Sequence, residues 1–395
     1  MIEPGAAAAS SPRGWARAGT PLGLFVVLGV PAGAIGVAWP PMRATFEAPL
    51  AGLGLLLAAI TIAYFAGSAV SGPLGWRING SILLAAGCLL AAAGVAGVAA
   101  APRWWLLPIV GLPAGFGFGL IDAAVNTQVS LQRGVRYMGW LHASWAVGAA
   151  IGPQLVVASL LITGSWRGAL ALTAVAFALF AVVVAGRAAG GRSSDRPQSA
   201  DVQRQTSIAY RRATMLLAAL LFFAAGLEAT AGDWSYSYLT LGRGMANATA
   251  GWAATLFWAG LAAGRVALGT FGNRVPAGRL LDAAMAGSAI GGVLFWLTPQ
   301  VVAGFLALPL LGFSVSVIYP LLLSVTPARV GASMTGHAVG YSLAAGTVGG
   351  GALPAGIGII LQAVGLAALG PALVLLAAAV LALHLVSRRA SGGTG

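Results

Sequence analysis

Gly115–Ser130 reads GFGFGLIDAAVNTQVS and lies in the C-terminal part of an apolar run that begins near Trp104. Asp122 and Asn126 are four residues apart, so a helix places the carboxylate and the amide on one face. A charge near the centre of a bilayer is costly, and such side chains usually face a cavity, a partner or a transport pathway. The segment predicts a membrane-spanning helix in which Asp122 is functional; the alternative is a pair that only ties this helix to a neighbour.

The composition places the rest of the chain in the membrane as well. Of its 395 residues, 59% are hydrophobic and only 7% are charged, whereas a soluble domain carries about 25% charged residues. The net charge is +13, and every cation is an arginine because the chain has no lysine. These arginines lie in short loops between apolar runs, which favours a role in membrane orientation over nucleic-acid binding.

Apolar runs of about 20 residues, the length that spans a bilayer, occur twelve times in the chain. They cover residues 21–41, 50–71, 81–101, 104–130, 138–163 and 168–187, and then 213–240, 248–268, 278–297, 300–323, 332–361 and 367–387. Most arginines fall in the even-numbered loops and in the two tails; the exceptions outside the spans are Arg43, Arg103, Arg167 and Arg243. The excess of positive charge on one side predicts that both termini are cytoplasmic.

A polar stretch in the middle of the chain, Arg187–Arg212, predicts a division into two halves. We expect a cytoplasmic tail at 1–20, a six-helix half at 21–187, a cytoplasmic linker at 188–212, a second six-helix half at 213–387 and a tail at 388–395. A shift of 197 residues aligns glycines and arginines of the two halves: Gly67 with Gly264, Arg77 with Arg274, and Gly115 with Gly312. Such a shift is typical of parallel repeats related by an axis along the membrane normal.

Two loops carry a shared motif. The loop after the second span reads GPLGWR (72–77), and the loop after the eighth reads GTFGNR (269–274). Both resemble the G-x-L-x-D-R motif of the major facilitator superfamily of transporters. The resemblance implies cytoplasmic gating loops that latch through charge pairs and contain Gly72, Arg77, Gly269 and Arg274. Trp76 and Asn273 stand where the family has Asp, so that part of the latch is missing.

Further stretches resemble the fucose-permease-like branch of this family, a group of sugar–proton symporters. They read GLIDAAVN (119–126), GWLHASWAVGAAIGP (139–153), LEATAGDWSYSYL (227–239), WAGLAAGR (258–265) and LGFSVSVIYP (311–320). The resemblance implies that Asp122 belongs to a proton and sugar site. The second acid of that symporter, in its first helix, has no counterpart, because Glu47 follows the first span.

A pattern in the fifth span points in another direction. Gly139, Gly148, Gly152 and Pro153 match the G-x8-G-x3-G-P spacing of proton-coupled drug antiporters in the same family, although Val156 stands where a trailing glycine is expected. Solute import with protons and export against protons therefore both remain open.

The seventh span carries two acids, Glu228 and Asp233. Five residues correspond to about 500° of helical turn, so in a straight helix the two side chains face directions about 140° apart. Glu228 is the deeper of the two and joins Asp122 as a candidate for proton coupling. Asp233 is expected near the outer interface, where it either contacts substrate beside Trp234 or is simply solvated.

Imidazole and aromatic side chains supply further candidates for substrate binding. His142 and Trp145 share a face of the fifth span, and His337 and Tyr341 occupy the corresponding place in the eleventh. An imidazole titrates near neutral pH and an aromatic ring stacks on a sugar. The alternatives are a histidine at the cytoplasmic interface and aromatic rings that anchor or fill the bundle.

Asn126 and Tyr319 complete the predicted substrate site, because Tyr319 aligns with Asp122 under the 197-residue shift. A phenol at that position can form a hydrogen bond with a solute. Arg265, near the inner end of the eighth span, is predicted to snorkel or to pair with a loop acid rather than to bind an anion.

These features predict an all-α membrane protein of twelve helices in two pseudo-symmetric halves. The solute is expected to bind between the halves, at a site that opens alternately to each side of the membrane. We expect a monomeric, multi-pass inner-membrane transporter that carries a small polar solute, with a sugar as the first choice, together with protons. A proton-driven exporter and a non-transporting receptor of the same fold remain alternatives. No enzyme activity, metal site or cofactor is expected, apart from a proton or sodium as coupling ion, because metal-ligand spacings and a lysine-containing phosphate loop are absent from the sequence. The expected partners are the solute and the lipid bilayer, not nucleic acid.

Overall fold

The computed structural model describes residues 12–75, 77–132, 134–188, 208–330 and 335–392, and these ranges are helical without a β-strand. The first half contains α1 (Pro12–Phe46), α2 (Gly52–Gly75), α3 (Gly80–Ala100), α4 (Leu107–Gln132), α5 (Gly134–Thr163) and α6 (Arg167–Ala188). The second contains α7 (Ile208–Ser237), α8 (Asn247–Phe271), α9 (Ala277–Leu297), α10 (Leu308–Val330), α11 (Thr335–Val364) and α12 (Leu369–Gly392). Each provides a stretch long and apolar enough to cross a membrane, which confirms the predicted fold class.

Several helices extend beyond the predicted spans, α1 and α7 among them. α1 passes through Pro40 and Pro41 and ends at Phe46, where Glu47 takes a positive φ of 52°. The side chain of Arg43 then caps the turn by donating from Nε to the carbonyl oxygen of Ala48 at 3.0 Å. α7 continues as a π-helical turn, Tyr238–Gly242, and a similar turn, Ala303–Ala307, leads into α10. Beyond residue 41, α1 continues through Arg43 and Thr45; these polar residues lower the local hydropathy, so the predicted end of α1 fell short.

The two halves repeat the same close helix crossing. In the first half, Gly115 of α4 lies directly against the carbonyl group of Ile60 in α2, with no room for a Cβ atom. In the second half, Gly312 of α10 lies in the same way against the carbonyl group of Phe257 in α8. The two pairs are related by the 197-residue shift. Glycine at both crossings allows the backbones to approach closely, as small residues do at helix interfaces in membranes.

Contacts between the halves are tightest on one side of the bundle. We call the side where α6 ends and α7 begins the linker end, and the opposite side the far end. Toward the far end, Gly36 of α1 meets the backbone of Asp233 in α7, and Gly54 of α2 meets Ala355 in α11. The amide of Gln154 in α5 donates to the hydroxyl of Thr255 in α8 at 3.1 Å. The two halves are therefore held together on the far side of the bundle.

The two loops with the shared motif, predicted to be gating loops, lie at the linker end. Among the described residues, neither Arg77 nor Arg274 forms an ion pair; the Arg274 guanidinium instead lies 5.1 Å from the ring centre of Phe271. The charge pairs at this end join α9 to α12, where Asp282 meets His384 at 2.8 Å and Arg388 at 2.7 Å.

Candidate functional site

Asp122 lies at the crossing of α2 and α4, where its carboxylate accepts two side-chain hydrogen bonds. The Tyr64 hydroxyl donates to Oδ2 at 2.7 Å, and the Asn126 amide donates to Oδ1 at 3.0 Å. Gly119, one turn before Asp122, lies against the carbonyl group of Tyr64 with no room for a Cβ atom. The glycine contact thus brings the phenol of α2 next to the acid of α4. A carboxylate removed from water needs such donors.

Glu228 and Arg265 form an ion pair in the second half. Oε1 of Glu228 in α7 lies 3.8 Å from Nη2 of Arg265 in α8, and about a fifth of each side chain is exposed (20% and 18%). The prediction that Arg265 snorkels or pairs with a loop acid is wrong, because its partner is an acid within a membrane span. The sequence could not show this, since the partner depends on how α7 packs on α8.

Arg265 also contacts α5 of the other half. Its Nη1 donates to the carbonyl oxygen of His142 at 3.3 Å, and its guanidinium carbon lies 5.5 Å from the ring centre of Trp145. Trp145 in turn meets the ring of Trp258 in α8 edge-on, with ring centres 5.7 Å apart. Trp145 therefore lines the contact between the halves.

Tyr319 of α10 lies close enough to both acids to interact with them electrostatically. Its phenol interacts electrostatically with Asp122 of the first half and with Glu228 and Arg265 of its own half. The structure thus brings together side chains from five helices and both halves, which we call the central polar site: Tyr64, Asp122, Asn126, Glu228, Arg265 and Tyr319. Of these, neither Tyr64 nor Arg265 was predicted as a site residue. The two glycines four residues apart, at 115 and 119, are a signal of close helix approach that pointed to a neighbour.

His142 contributes to the contact between the halves through its backbone. Its carbonyl oxygen accepts from Arg265, while its imidazole meets the ring of Phe25 in α1 edge-on, with centres 6.2 Å apart. The ring is thus packed against α1, and its predicted contact with substrate stays a prediction. Tyr341 is 66% exposed, and the side chain of His337 lies outside the described residues; both also stay predictions.

Within the ranges that the structure describes, Asp233 and Trp234 form no hydrogen bond or ion pair with the residues of the central polar site. Asp233 is only 7% exposed, so the alternative of a solvated carboxylate is wrong, whereas its contact with substrate stays a prediction. Gly36 of α1 lies against the backbone of Asp233. Trp234 is fully buried. Its Nε1 donates to the carbonyl oxygen of Pro354 at 2.9 Å, and its ring packs against Gly358 of α11. Trp234 joins α7 to α11 in this conformation.

The glycines of the antiporter-like pattern pack one helix on another. Gly148 of α5 lies against the carbonyl group of Val26, and Gly152 lies against that of Val30, both in α1. Close packing of α5 on α1 accounts for these residues whichever way the solute moves. In the described part of the chain, no group of three or more His, Cys, Asp or Glu is placed to hold a metal ion.

Two similar six-helix halves with a charged site between them define a membrane transporter of the alternating-access class. The sequence profile of the Major Facilitator Superfamily matches residues 22–354, and the chain belongs to that family. It is therefore a transporter and not an enzyme, with a small-molecule substrate bound within the membrane.

Named relatives show what the chain is similar to. It is 28% identical over 345 residues to an uncharacterized MFS-type transporter of Yersinia pestis, covering 82% of this chain and 85% of that protein. It is 23% identical over 375 residues to the sodium-dependent glucose transporter 1A of Mus musculus, covering 85% and 87%. The fucose:proton symporter FucP of E. coli has the same fold, with a TM-score of 0.63, 17% identity and coverage of 95% and 98%.

Proposed function

We propose that this transporter moves a small polar solute, a sugar or a similar polyhydroxylated compound, together with protons. The observation that carries the proposal is the pair of carboxylates in the central polar site, Asp122 from one half and Glu228 from the other. Charged side chains inside a membrane are costly and are typical of ion and proton pathways.

The site has the donors and acceptors that a polyhydroxylated solute requires. The carboxylates accept hydrogen bonds, whereas the phenols of Tyr64 and Tyr319 can donate or accept. Trp145 adds an aromatic surface of the kind that packs on the apolar face of a sugar. The neighbours named as glucose and fucose transporters support the same class of solute.

Proton binding can drive the cycle because it removes charge from the interior. With the far end packed shut through α1–α7, α2–α11 and α5–α8, solute and proton exchange at the linker end. The arginine distribution predicts that this end faces the cytoplasm. For the site to open toward the far end, the two halves must rock about it, which buries the site during the transition. Neutral carboxylates lower the free energy of that burial.

A sodium-coupled cycle is a second candidate, favoured by one observation. The mouse relative is named as sodium-dependent, and the carboxylate of Asp122, the Tyr64 hydroxyl and the Asn126 amide supply the oxygen atoms that hard cations prefer.

The test is solute-induced pH change inside proteoliposomes that trap a pH-sensitive dye. A panel of sugars is added first, then a panel of cationic drugs, with and without a sodium gradient. The proposal predicts acidification with one of the sugars and no requirement for sodium. Sugar uptake that needs sodium and leaves the pH constant would replace the proton by sodium. Proton movement with drugs alone would identify an exporter, and no response to either panel would contradict the proposed substrate class.

The variant Glu47→Gln is a matched control. It removes an exposed carboxylate in the loop after α1 and leaves the membrane-embedded acids unchanged. The proposal predicts the same solute-dependent acidification as in the wild-type protein.

A further inference from the structure

Arg265 holds a position that the transport cycle described above does not use. It is a cation within a span, and it contacts both halves: Glu228 of α7 at 3.8 Å, and the His142 carbonyl oxygen and Trp145 ring of α5 at 3.3 Å and 5.5 Å. In a protein whose two halves move relative to each other, a charged side chain that contacts both halves can couple a change in one half to the contacts of the other.

The contacts of Arg265 are individually loose. Charge-assisted hydrogen bonds between guanidinium and carboxylate usually measure about 2.7–2.9 Å, so the separation of 3.8 Å from Glu228 is electrostatic attraction without a fixed hydrogen bond. The bond of 3.3 Å to the His142 carbonyl is also long. Arg265 therefore lies between two sets of partners rather than being committed to one.

We propose that Arg265 is a positioning residue that converts the protonation of Glu228 into a change in the contact between α5 and α8. This inference rests on the proposed function, because it takes Glu228 as a proton carrier. While Glu228 is ionised, it attracts the guanidinium toward α7. When Glu228 binds a proton, that attraction ends, and the partners left to the guanidinium are those of α5. Protonation then strengthens the α5–α8 contact on the linker side of the bundle and favours closure of the linker end.

In the described part of the chain, two further titratable groups interact electrostatically with Arg265. Arg265 interacts electrostatically with the His142 imidazole of α5 and with the Tyr319 phenol of α10. The Tyr319 phenol also interacts electrostatically with Asp122 of α4. Glu228 is the carboxylate that forms an ion pair with Arg265. Asp122 accepts hydrogen bonds from neutral donors, so its protonation does not leave a cation without an acid partner.

The distance between the linker ends of α5 and α8 tests the proposal directly. Gly139 of α5 and Gly269 of α8 have open space where a Cβ would lie, so each can be replaced by cysteine and spin-labelled in a Cys88→Ala background. The label-to-label distance is then measured at acidic and at alkaline pH. We expect a shorter distance at acidic pH in the otherwise wild-type protein, the short distance at both pH values in Glu228→Gln, and no pH response in Arg265→Gln. An unchanged pH response in Arg265→Gln would overturn the proposal.

Transport measurements separate coupling from folding and from substrate binding. In Arg265→Gln we expect proton-driven accumulation to fall about fivefold or more relative to solute exchange without a proton gradient, the lower range of coupling between sites. Arg265→Lys keeps the charge and should restore part of the accumulation. If both variants lose exchange as well, Arg265 contacts the solute and the proposal is wrong.

Arg167→Gln is the matched control. Arg167 of α6 also lies over an aromatic ring, 4.6 Å from the ring centre of Trp166, and donates to backbone carbonyl groups, but it has no acid partner among the described residues. It should keep the wild-type pH response and accumulation. If wild-type uptake is independent of a proton gradient, the proposed function itself fails; if uptake is proton-driven but Arg265→Gln matches the wild type, only the inference about Arg265 fails.

Discussion

Asp122 and Glu228 are the two acids of the central polar site, and the two halves hold them by different means. Asp122 accepts hydrogen bonds from neutral donors, the Tyr64 hydroxyl at 2.7 Å and the Asn126 amide at 3.0 Å. Glu228 faces a cation, Arg265, at 3.8 Å. Protonation of Asp122 leaves neutral neighbours, whereas protonation of Glu228 leaves a guanidinium without its acid. The two sites therefore respond differently to the same proton.

This difference arises on a shared backbone arrangement. The α2–α4 and α8–α10 crossings use glycines at equivalent positions, 115 and 312, but the side chains around them differ. Under the 197-residue shift, Tyr64, Ser68 and Asp122 correspond to Leu261, Arg265 and Tyr319. The repeat has kept the crossing and changed the chemistry, so that one half holds an acid with neutral donors and the other an acid with a cation.

Breaking the shared crossing gives the largest expected effect. Gly115→Leu and Gly312→Leu each place a side chain where a backbone carbonyl group already lies, and each should lower the free energy of unfolding by about 3 kcal/mol or more. The loss is measured by adding increasing amounts of a denaturing detergent and monitoring unfolding. Gly186→Leu, where a Cβ meets open space, should be close to neutral. A large difference between Gly115→Leu and Gly312→Leu would contradict the equivalence of the two crossings.

Neutralising the two acids sharpens the contrast between the halves. Glu228→Gln leaves Arg265 without its acid and should cost about 2–3 kcal/mol, below the usual range for breaking a buried pair, because about a fifth of each side chain stays exposed (20% and 18%). Asp122→Asn leaves no unpaired cation and should change stability by less than about 1 kcal/mol. The same detergent titration measures both. The reverse order of the two variants would show that the halves do not differ as described.

Removing the neutral donor of Asp122 has a smaller effect. Tyr64→Phe deletes the hydroxyl that donates to Asp122 at 2.7 Å, and the loss should be about 1.5 kcal/mol, the value typical of a hydrogen bond to a charged group. Tyr341→Phe removes a hydroxyl from a side chain that is 66% exposed and should leave stability unchanged. Equal stability of Tyr64→Phe and wild type would mean that the bond to Asp122 contributes nothing.

A charge cluster at the linker end should give the smallest effect. Asp282 meets Arg388 at 2.7 Å and His384 at 2.8 Å, which is closer than Glu228 meets Arg265, but 40% of its side chain is exposed. Solvent screens exposed pairs. Asp282→Asn should therefore lower the free energy of unfolding by less than about 1 kcal/mol. Thermal unfolding would show this as a small decrease in the midpoint temperature. A loss as large as that in Glu228→Gln would show that distance, and not burial, sets the strength of these pairs.

The fold was largely predictable from the sequence because the bilayer imposes it. Twelve apolar runs define twelve helices, and their ends differed mainly where polar turns extend a helix, as at Phe46. The acid of α4 and the deeper acid of α7 were predicted as functional because a charge inside a membrane is costly. Both lie in the central polar site.

The pairing of side chains was not predictable, because it depends on how the helices pack. The contact of Tyr64 with Asp122 follows from the position of Gly119 against α2, and the partner of Arg265 follows from the packing of α7 on α8. Burial also depends on packing: one alternative for Asp233 was a solvated carboxylate, yet the residue is only 7% exposed and α1 lies against its backbone. The hydropathy of one helix does not depend on which helix packs against it, so it cannot predict these contacts.

The most direct test of the account is solute-induced proton flux in proteoliposomes that contain wild type or Asp122→Asn, measured beside exchange of labelled solute in the absence of a proton gradient. Because the substitution is nearly isosteric, we predict that the variant keeps solute exchange and loses both proton flux and proton-driven accumulation. Wild-type proton flux in Asp122→Asn would show that Asp122 does not carry the proton, and would contradict the account.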